Sequence, residues 1–571
     1  MRIERRNNAE LYSLVTYSND RIKIVLKDAS GVYGGGEHYD AVDFTGLVRR
    51  NEVREVFTNQ GEATYFPVPI AVSDNVSIYL DTDRVFDMEA RRMDDDIVLS
   101  IVGELDEDDV LYVIGGKPRY ALKEIADLQG MHEPAPSWIY GQWASANRWH
   151  SRKDAESAIE EAERNGIPIS VIVLEAWSDE ATFYRWNDEE DGLWPDMPSF
   201  MEKLREKGIH LILWQCPVFK KLEAGRHHEV HEKALAEIIG RNLEVLNPDG
   251  TPYTIPDGHW FSGSMIPDFT NPETREWWFE KRKHLLDLGV SGFKTDGGEF
   301  VLSDDCVFHD GSTGLTMRNR YPESYVRAYS DAIGRDRIVF SRAGYIGSRN
   351  SSIFWAGDQM STWKELGSVL NAGLSASISG IYDWGFDIAG FAGPMPSREL
   401  YIRSFELATF VPIMQWHSEP IGGQFSEIMK SEDAVNDRSP WNMASIYGND
   451  ILDICRRYSL LRERLRSYLE ILGQKDEPII RPMLYDFDDL DVKKVFDEYM
   501  LGPSLLVAPV IVEGQVVRSV VLPSGRWLDV ASAEVLDGWR TIEFSCPIDS
   551  IGLFIMLGSE YEDELRTVFG V

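Results

Sequence analysis

The feature that most constrains the fold is a series of eight short apolar segments, many of them separated by long amphipathic stretches. The apolar segments occupy 139–144, 170–176, 210–215, 292–296, 337–342, 353–358, 379–384 and 411–416. The stretches between them, such as DAESAIEEAERNG and REWWFEKRKHLLDLG, carry apolar residues at helical spacing and run into glycine. Repeated strand and helix units imply parallel strands with right-handed crossovers, and eight units close a (β/α)8 TIM barrel.

The segments on either side of the predicted barrel have a different texture. Residues 1–118 show short alternating apolar runs broken by turn residues, which predicts an N-terminal β-sandwich. The pattern returns in residues 477–571, which predicts a C-terminal β-sandwich domain. The α/β catalytic barrel then spans 119–476, with an insertion at about 217–290 over its mouth. A doubly wound sheet is the alternative, but it usually has a Gly-rich loop after its first strand, and IYGQWASANRW has none.

The charge balance limits which partners the chain can bind. The formal net charge is −36, so contacts with nucleic acid or an anionic membrane begin with electrostatic repulsion. A neutral small molecule is favoured, and homo-oligomerisation is left open. The N-terminus is polar and no run of ~18 apolar residues occurs, so we expect a cytoplasmic protein. The four cysteines form no CxxC pair, which argues against a zinc or redox site. We expect no cofactor.

Active sites of these barrels lie at the C-terminal ends of the strands. The residues at the predicted strand ends are Trp143, Glu175, Trp177, Trp214, Asp296, Arg342, Asp358, Asp383, Asp387 and His417. Aromatic rings can cover the apolar faces of a sugar while charged groups bind its hydroxyls. A carbohydrate is therefore the expected ligand.

Two of these aspartates suit the cleavage of a glycosidic bond. A retaining enzyme needs a nucleophile and an acid/base about 5–5.5 Å apart. Asp296 precedes Gly297–Gly298, which permits close approach of a substrate, and Lys294 lies near it in sequence. Asp358 lies near Trp355, whose apolar bulk can raise the pKa of a carboxyl group, as a general acid requires. An aspartate at a strand end is also a common helix cap, so spacing alone leaves both readings open.

Several segments resemble glycoside hydrolase family 31, the retaining α-glycosidases. FKTDGGE resembles the nucleophile segment and FWAGDQ the acid/base segment of that family, which implies these roles for Asp296 and Asp358. SRAGYIGS and MQWHSE resemble the segments that carry a sugar-binding arginine and histidine, here Arg342 and His417. The resemblance also implies that Glu175 binds the sugar. Lys294 and the tryptophans Trp177, Trp214 and Trp355 would shape the pocket.

The segment after the second strand departs from the family pattern. Many family α-glucosidases show WxDxDY there, whereas this chain has VLEAWSDEATF, so that Glu175 keeps the first carboxylate and Trp177 replaces the second. The resemblance implies an exo-acting α-glycoside hydrolase of the α-glucosidase type. Specificity for α-xylosides, α-galactosides or sulfoquinovosides stays open, as does a non-catalytic sugar-binding protein on the same fold.

The histidine-rich segment RHHEVHE has His227 and His231 four positions apart. It lacks the HExxH order of a zinc site, so we expect a solvated helix face there and no metal.

Overall fold

The computed structural model describes residues 1–18, 21–130, 132–187, 192–418, 437–489 and 492–571, and its centre is a closed parallel barrel. The barrel strands are Gln142–Ala146, Val171–Leu174, His210–Gln215, Gly292–Thr295, Ile338–Ser341, Ile353–Trp355, Trp384–Asp387 and Ile413–Ser418. The first strand pairs in parallel with the eighth, with Ala144 opposite Trp416, which closes the barrel. The predicted (β/α)8 architecture is confirmed.

The barrel strands are apolar on both faces because one face lines the barrel and the other packs against helices. All four residues of Val171–Leu174 are buried, as are those of Ile338–Ser341. The helices around the barrel are Arg152–Arg164, Met197–Glu206, Glu229–Arg241, Pro272–Leu288, Gly314–Ile333, Trp363–Ile378, Arg398–Thr409, Pro440–Tyr447 and Asn449–Gly473. Polar side chains cap several of them; Ser151, for example, accepts a hydrogen bond from the backbone N–H of Asp154.

Two five-stranded sheets form the N-terminal part of the chain. One contains, in spatial order, Arg2–Arg6, Val110–Gly115, Val76–Asp81, Pro67–Val72 and Tyr33–Gly36; the other contains Ser13–Ser18, Arg21–Leu26, Asp96–Val102, Phe86–Met93 and Val48–Asn51. Residues of both sheets, including Ile24, Leu99, Ile78 and Val113, share one apolar core. The two sheets therefore form the expected sandwich, and the helix Pro118–Gln129 follows it.

The C-terminal part also contains two sheets. A six-stranded sheet holds Ile480–Arg481, Tyr499–Leu501, Leu505–Ala508, Gly552–Met556, Arg526–Asp529 and Val535–Asp537, and a two-stranded sheet pairs Val517–Leu522 with Arg540–Ser545. Phe554 and Trp527 of the first sheet share a core with Val520 and Phe544 of the second. The helix Glu562–Phe569 ends the chain.

The seventh barrel strand lies further along the chain than predicted. It is Trp384–Asp387 instead of 379–384, because the preceding helix extends to Ile378 and the chain then turns, with Ile381 N–H bonded to Ala376 O. Asp387 therefore lies at the C-terminal end of the strand. Asp383 precedes the strand, at the opposite end of the barrel, where it accepts a hydrogen bond from the hydroxyl of Tyr140 (2.9 Å). The expectation that Asp383 faces the active-site cup is wrong.

The long connection between the third and fourth strands contains the helices Glu229–Arg241 and Pro272–Leu288. His227 precedes the first of these and is exposed. His231 is buried, and its Nε2 lies 2.7 Å from Lys220 O. The expectation of a solvated histidine face is therefore wrong for His231. Its side chain joins the helix Glu229–Arg241 to the backbone of the segment that precedes it.

A loop of the N-terminal domain, residues 53–66, reaches the rim of the barrel; we call it the N-domain loop. Thr58 pairs with Gln359 in a short bridge, and Gly344 N–H donates to Tyr65 O. The ring of Tyr65 lies so close to Gly357 that an added Cβ at this glycine would be 2.3 Å from the ring. Gly357 also has φ +72°, a conformation that side chains rarely adopt.

No helix within the described ranges combines the length and the apolar composition that crossing a membrane requires.

The contact between Gly357 and Tyr65 predicts a large effect of a single methyl group. Gly357→Ala should lower the free energy of unfolding by about 2 kcal/mol or more, from backbone strain and the clash with Tyr65. Gly367→Ala is the matched control, because a Cβ at Gly367 meets nothing within 4 Å. Gly367 lies in the helix Trp363–Ile378, where replacing glycine by alanine should raise the free energy of unfolding by up to about 1 kcal/mol. Urea denaturation of both variants checks the prediction, and equal stabilities would contradict it.

Candidate active site

The two predicted catalytic aspartates meet at one nitrogen atom. Arg342 Nη1 lies 3.4 Å from Asp296 Oδ1 and 3.3 Å from Asp358 Oδ2. The two oxygens are therefore at most about 7 Å apart, a range that includes the roughly 5–5.5 Å of retaining glycosidases. The aspartate side chains remain 16% and 13% exposed, so that a ligand can reach both. Two partly exposed carboxyl groups thus converge on one guanidinium nitrogen.

Asp296 follows the fourth barrel strand, and its carboxylate is held by two further donors. Trp214 Nε1 donates to Oδ2 (2.9 Å), and the backbone N–H of Gly297 donates to Oδ1 (2.8 Å). Gly297 and Gly298 both have positive φ values, +74° and +112°, so the chain turns sharply away behind the carboxylate. These contacts fix the direction in which Asp296 points.

Asp358 follows the sixth barrel strand and has the electrostatics of a proton donor. Burial raises the pKa of Asp358 well above its ordinary value, and the negative charges of Asp296 and Glu55 raise it further, while Arg342 opposes the shift. The expected cause was the apolar bulk of Trp355. The ring of Trp355 lies 4.6 Å from Lys294 Nζ, and its effect on Asp358 stays a prediction.

Arg342 is the centre of the site, and its side chain is 1% exposed. Its Nε and Nη2 atoms lie 3.0 and 3.1 Å from the two oxygens of Glu299. Nη2 also lies 3.0 Å from Glu55 Oε1. The guanidinium stacks on Tyr65 (4.7 Å) and lies 5.5 Å from the ring of Trp260. One cation thus faces four carboxyl groups.

A second ion pair lies deeper in the barrel. Lys294 Nζ is 2.6 Å from Glu175 Oε1. Burial raises the pKa of Glu175, and Lys294 opposes this shift. Burial disfavours the charged form of Lys294, but Glu175, Asp387 and Asp296 outweigh it and raise its pKa. The ion-pair partner of Lys294 is therefore Glu175, whereas the sequence suggested that it supports Asp296.

His417 lies beside this pair, at the end of the eighth strand. Its Nδ1 is 2.8 Å from Ser145 Oγ and 3.7 Å from Glu175 Oε1. Burial lowers the pKa of His417 well below its ordinary value, and Lys294 and Arg438 add to the shift. The imidazole is therefore neutral at pH 7 and can act as a donor or acceptor towards hydroxyl groups.

The three predicted tryptophans occupy different layers. Trp214 donates to Asp296 directly. Trp177 is completely buried behind it and donates to the backbone oxygen of Trp214 (3.0 Å). Trp355 is buried between Lys294 and Phe340. Trp177 therefore supports the backbone of Trp214, and its predicted contact with the sugar stays a prediction.

Sequence reasoning missed four residues of the site: Glu55, Tyr65, Trp260 and Glu299. Glu299 lies three positions after Asp296, in the segment that was singled out, so its position offered a signal. Glu55 and Tyr65 come from the N-terminal domain and Trp260 from the long connection, and no barrel pattern points to them. A TIM barrel that brings two partly exposed carboxyl groups together, one of them with a raised pKa, has the arrangement that glycoside hydrolysis needs.

Comparison with known sequences identifies the family. The profile described as "Glycosyl hydrolases family 31 TIM-barrel domain" matches residues 132–470, and the profile of the "Glycosyl hydrolase family 31 C-terminal domain" matches residues 476–559. The chain belongs to glycoside hydrolase family 31, as the sequence motifs predicted.

The similar proteins include an isomaltosyltransferase, a 1,3-alpha-isomaltosidase and a cycloalternan-degrading enzyme. The chain is 33% identical to an isomaltosyltransferase of Sporosarcina globispora, over 92% of this chain and 50% of that protein. It is 34% identical to a 1,3-alpha-isomaltosidase of Kribbella flavida, over 89% of this chain and 74% of that protein. Among solved structures, the cycloalternan-degrading enzyme from Trueperella pyogenes in complex with a covalent intermediate is 34% identical, with a TM-score of 0.87, over 98% of this chain and 81% of that one. The chain thus spans half the length of the first relative.

The buried pair of Lys294 and Glu175 predicts a pH-dependent effect on stability. Lys294→Met removes the cation and leaves Glu175 buried with its charge uncompensated, which should cost about 3–5 kcal/mol at pH 7. Without Lys294 the folded-state pKa of Glu175 rises further above its unfolded value. Such a group destabilises the fold as the pH rises from the unfolded to the folded pKa. The loss should therefore be smaller at pH 5 than at pH 7.

Denaturation of the wild type and Lys294→Met at both pH values tests this. Lys283→Met is the control, since Lys283 is exposed and pairs with Asp287 on the helix surface. An equal loss at pH 5 and pH 7 would show that the destabilisation comes from packing alone.

Proposed function

We propose that the protein is a retaining, exo-acting α-glycoside hydrolase, which releases a terminal α-linked sugar from short α-glucosyl oligosaccharides. The observation that carries this proposal is the pair of carboxyl groups on Arg342 Nη1, one held by a tryptophan N–H and the other with a raised pKa. The family membership and the names of the similar enzymes support the α-linkage.

In the first step, Asp296 attacks the anomeric carbon of the terminal sugar while Asp358 donates its proton to the leaving glycosidic oxygen. The C–O bond to the aglycone breaks, and a glycosyl ester on Asp296 forms. In the second step, Asp358, now ionised, takes a proton from water, which attacks the anomeric carbon and releases Asp296. Two inversions at the same carbon give net retention. The covalent intermediate named for the Trueperella pyogenes enzyme supports this route.

Arg342 Nη1 faces both catalytic carboxyl groups and stabilises negative charge on either one. This matters because the charge moves between them: Asp296 loses its charge in the ester as Asp358 gains one. The neutral His417 and the pair of Glu175 and Lys294 supply donors and acceptors for the hydroxyl groups of the bound sugar. No step of this cycle requires a metal or an organic cofactor.

The substrate class follows from the similar enzymes and from the pocket. The isomaltosyltransferase and the 1,3-alpha-isomaltosidase act, by their names, on isomaltosyl units. We therefore place α-1,3- and α-1,6-linked glucosyl oligosaccharides first, ahead of α-xylosides, α-galactosides and sulfoquinovosides. Glu175 is a buried carboxyl group in the pocket, and its charge would repel a sulfonate.

Chemical rescue tests the two catalytic roles. Asp296→Ala should lower kcat/KM by about 10⁴-fold or more, and azide should restore turnover of an aryl α-glucoside with a β-glucosyl azide as product. Asp358→Ala should lose about 10²–10⁴-fold on substrates that need protonation. With an activated aryl glycoside and azide it should form the α-glucosyl azide. The opposite azide anomers, or a fully active Asp296→Ala variant, would refute the assignments.

The anomer released first tests retention and specificity together. Isomaltose-, nigerose- and panose-type oligosaccharides, with aryl α-xyloside, α-galactoside and sulfoquinovoside as comparisons, should be followed by NMR. We expect the α-anomer first and the highest kcat/KM on a glucosyl substrate. A β-anomer would refute double displacement. Tight binding of these sugars without turnover would favour the sugar-binding alternative, and products longer than the substrate would show transglycosylation.

A further inference from the structure

Glu55 is one of the four carboxyl groups around Arg342, and it comes from the N-terminal domain. The N-domain loop holds it in place from both sides. The backbone N–H of Val56 donates to Gln60 Oε1 (2.8 Å), and Gln60 Nε2 donates to Arg54 O (2.6 Å). Val53 N–H donates to Asn319 Oδ1 (2.9 Å), which ties the same loop to a barrel helix. Glu55 is therefore presented to the barrel by a fixed piece of backbone.

All three side-chain nitrogen atoms of Arg342 contact carboxylate oxygens. A guanidinium has five N–H groups in a rigid plane. One N–H at Nε faces Glu299, the two at Nη2 face Glu299 and Glu55, and the two at Nη1 face the catalytic aspartates. Glu55 and Glu299 thus determine the plane of the guanidinium. That plane places Nη1 between Asp296 and Asp358.

The charges around Arg342 do not balance. Four carboxyl groups face the guanidinium: Glu55, Asp296, Glu299 and Asp358. Among the described residues, other titratable groups face this cluster from several elements: Lys294 of the fourth strand, Cys216 after the third strand, Glu175 after the second, Asp387 of the seventh, Tyr325 of the helix Gly314–Ile333, and Tyr39 and Tyr65 of the N-terminal domain. Because the carboxyl groups outnumber the cations, the repulsion between their charges favours the protonated forms of Glu55 and Asp358. Burial raises the pKa of Glu55 to about 7, and burial raises the pKa of Asp358 well above its ordinary value.

We propose that Glu55 is a positioning residue of the proposed glycosidase, which orients Arg342 and whose negative charge keeps Asp358 protonated for its role as general acid. The inference rests on the proposed function, because it assigns the acid role to Asp358. It makes the N-terminal domain part of the proton-transfer machinery. The N-terminal domain then sets the upper pH limit of catalysis, although it lies outside the barrel.

The sign of the effect follows from electrostatics. A negative charge near Asp358 disfavours its ionised form, so removing that charge lowers the pKa of Asp358. The general acid must be protonated for the first step, so activity is lost as the pH rises through this pKa. In Glu55→Gln, the alkaline limb of the kcat/KM profile should therefore move to lower pH, by about half a unit to one unit.

The experiment measures pH profiles of kcat/KM for four proteins: wild type, Glu55→Gln, Glu55→Asp and Glu52→Gln. Glu52 is the matched control, because it lies on the adjoining strand end and pairs with Arg50 and Arg318, away from Arg342. Its limb should not move. Glu55→Asp keeps the charge but shortens the reach to Arg342, so its limb should stay in place while kcat falls. If Glu55→Gln does not fold, the test is the kcat of Glu55→Asp. A kcat of folded Glu55→Asp equal to that of the wild type would overturn the proposal.

Leaving-group dependence separates this role from a structural one. A dinitrophenyl glycoside departs without protonation, whereas an alkyl or oligosaccharide leaving group needs the proton of Asp358. The effect of Glu55→Gln should therefore be confined to the poor leaving groups. An unmoved alkaline limb, or a change only in KM for the aglycone, would overturn the proposal and assign Glu55 to substrate binding. Failure of the wild type to hydrolyse any glycoside would instead refute the proposed function.

Discussion

The site depends on one buried cation. Arg342 is almost completely shielded from water, and a buried guanidinium is costly unless every N–H meets an acceptor. Here four carboxyl groups contact the guanidinium, those of the candidate catalytic residues Asp296 and Asp358 and those of Glu299 and Glu55. The same contacts that make the arginine tolerable also bring the aspartates to one nitrogen. Displacing any one of these carboxyl groups therefore has two effects. It destabilises the buried arginine, and it changes the electrostatic field at the other carboxyl groups.

This constraint explains why the barrel does not form the site alone. Tyr65 and Glu55 belong to the N-terminal domain, yet one stacks on Arg342 and the other accepts from it. Gly357, next to Asp358, leaves space for the ring of Tyr65. The long connection after the third strand adds Trp260. The barrel provides strand ends at the correct spacing, and its neighbours remove water from them, which strengthens every electrostatic interaction inside.

Sequence patterns predicted the parts that are local or periodic. The alternation of strands and helices gave eight barrel strands, and the motifs around Asp296 and Asp358 led to the pair that Arg342 joins. The seventh strand was predicted too early in the chain. The preceding helix continues to Ile378, and an apolar run does not show where a buried helix ends. His231 was expected in solvent, but its partner is a backbone oxygen of a distant residue, Lys220, and helical spacing does not reveal such a contact.

The sequence by itself determined the class of fold, the family and the two candidate catalytic carboxyl groups, because these depend on hydrophobic periodicity and on short contiguous motifs. Only the tertiary structure decided which groups meet: that Lys294 pairs with Glu175, that Trp177 donates to the backbone oxygen of Trp214, and that Glu55 faces Arg342 across a domain boundary. The physical reason is that electrostatic energies depend on distance and burial, and residues separated by 287 positions, such as 55 and 342, acquire both only when the chain is folded.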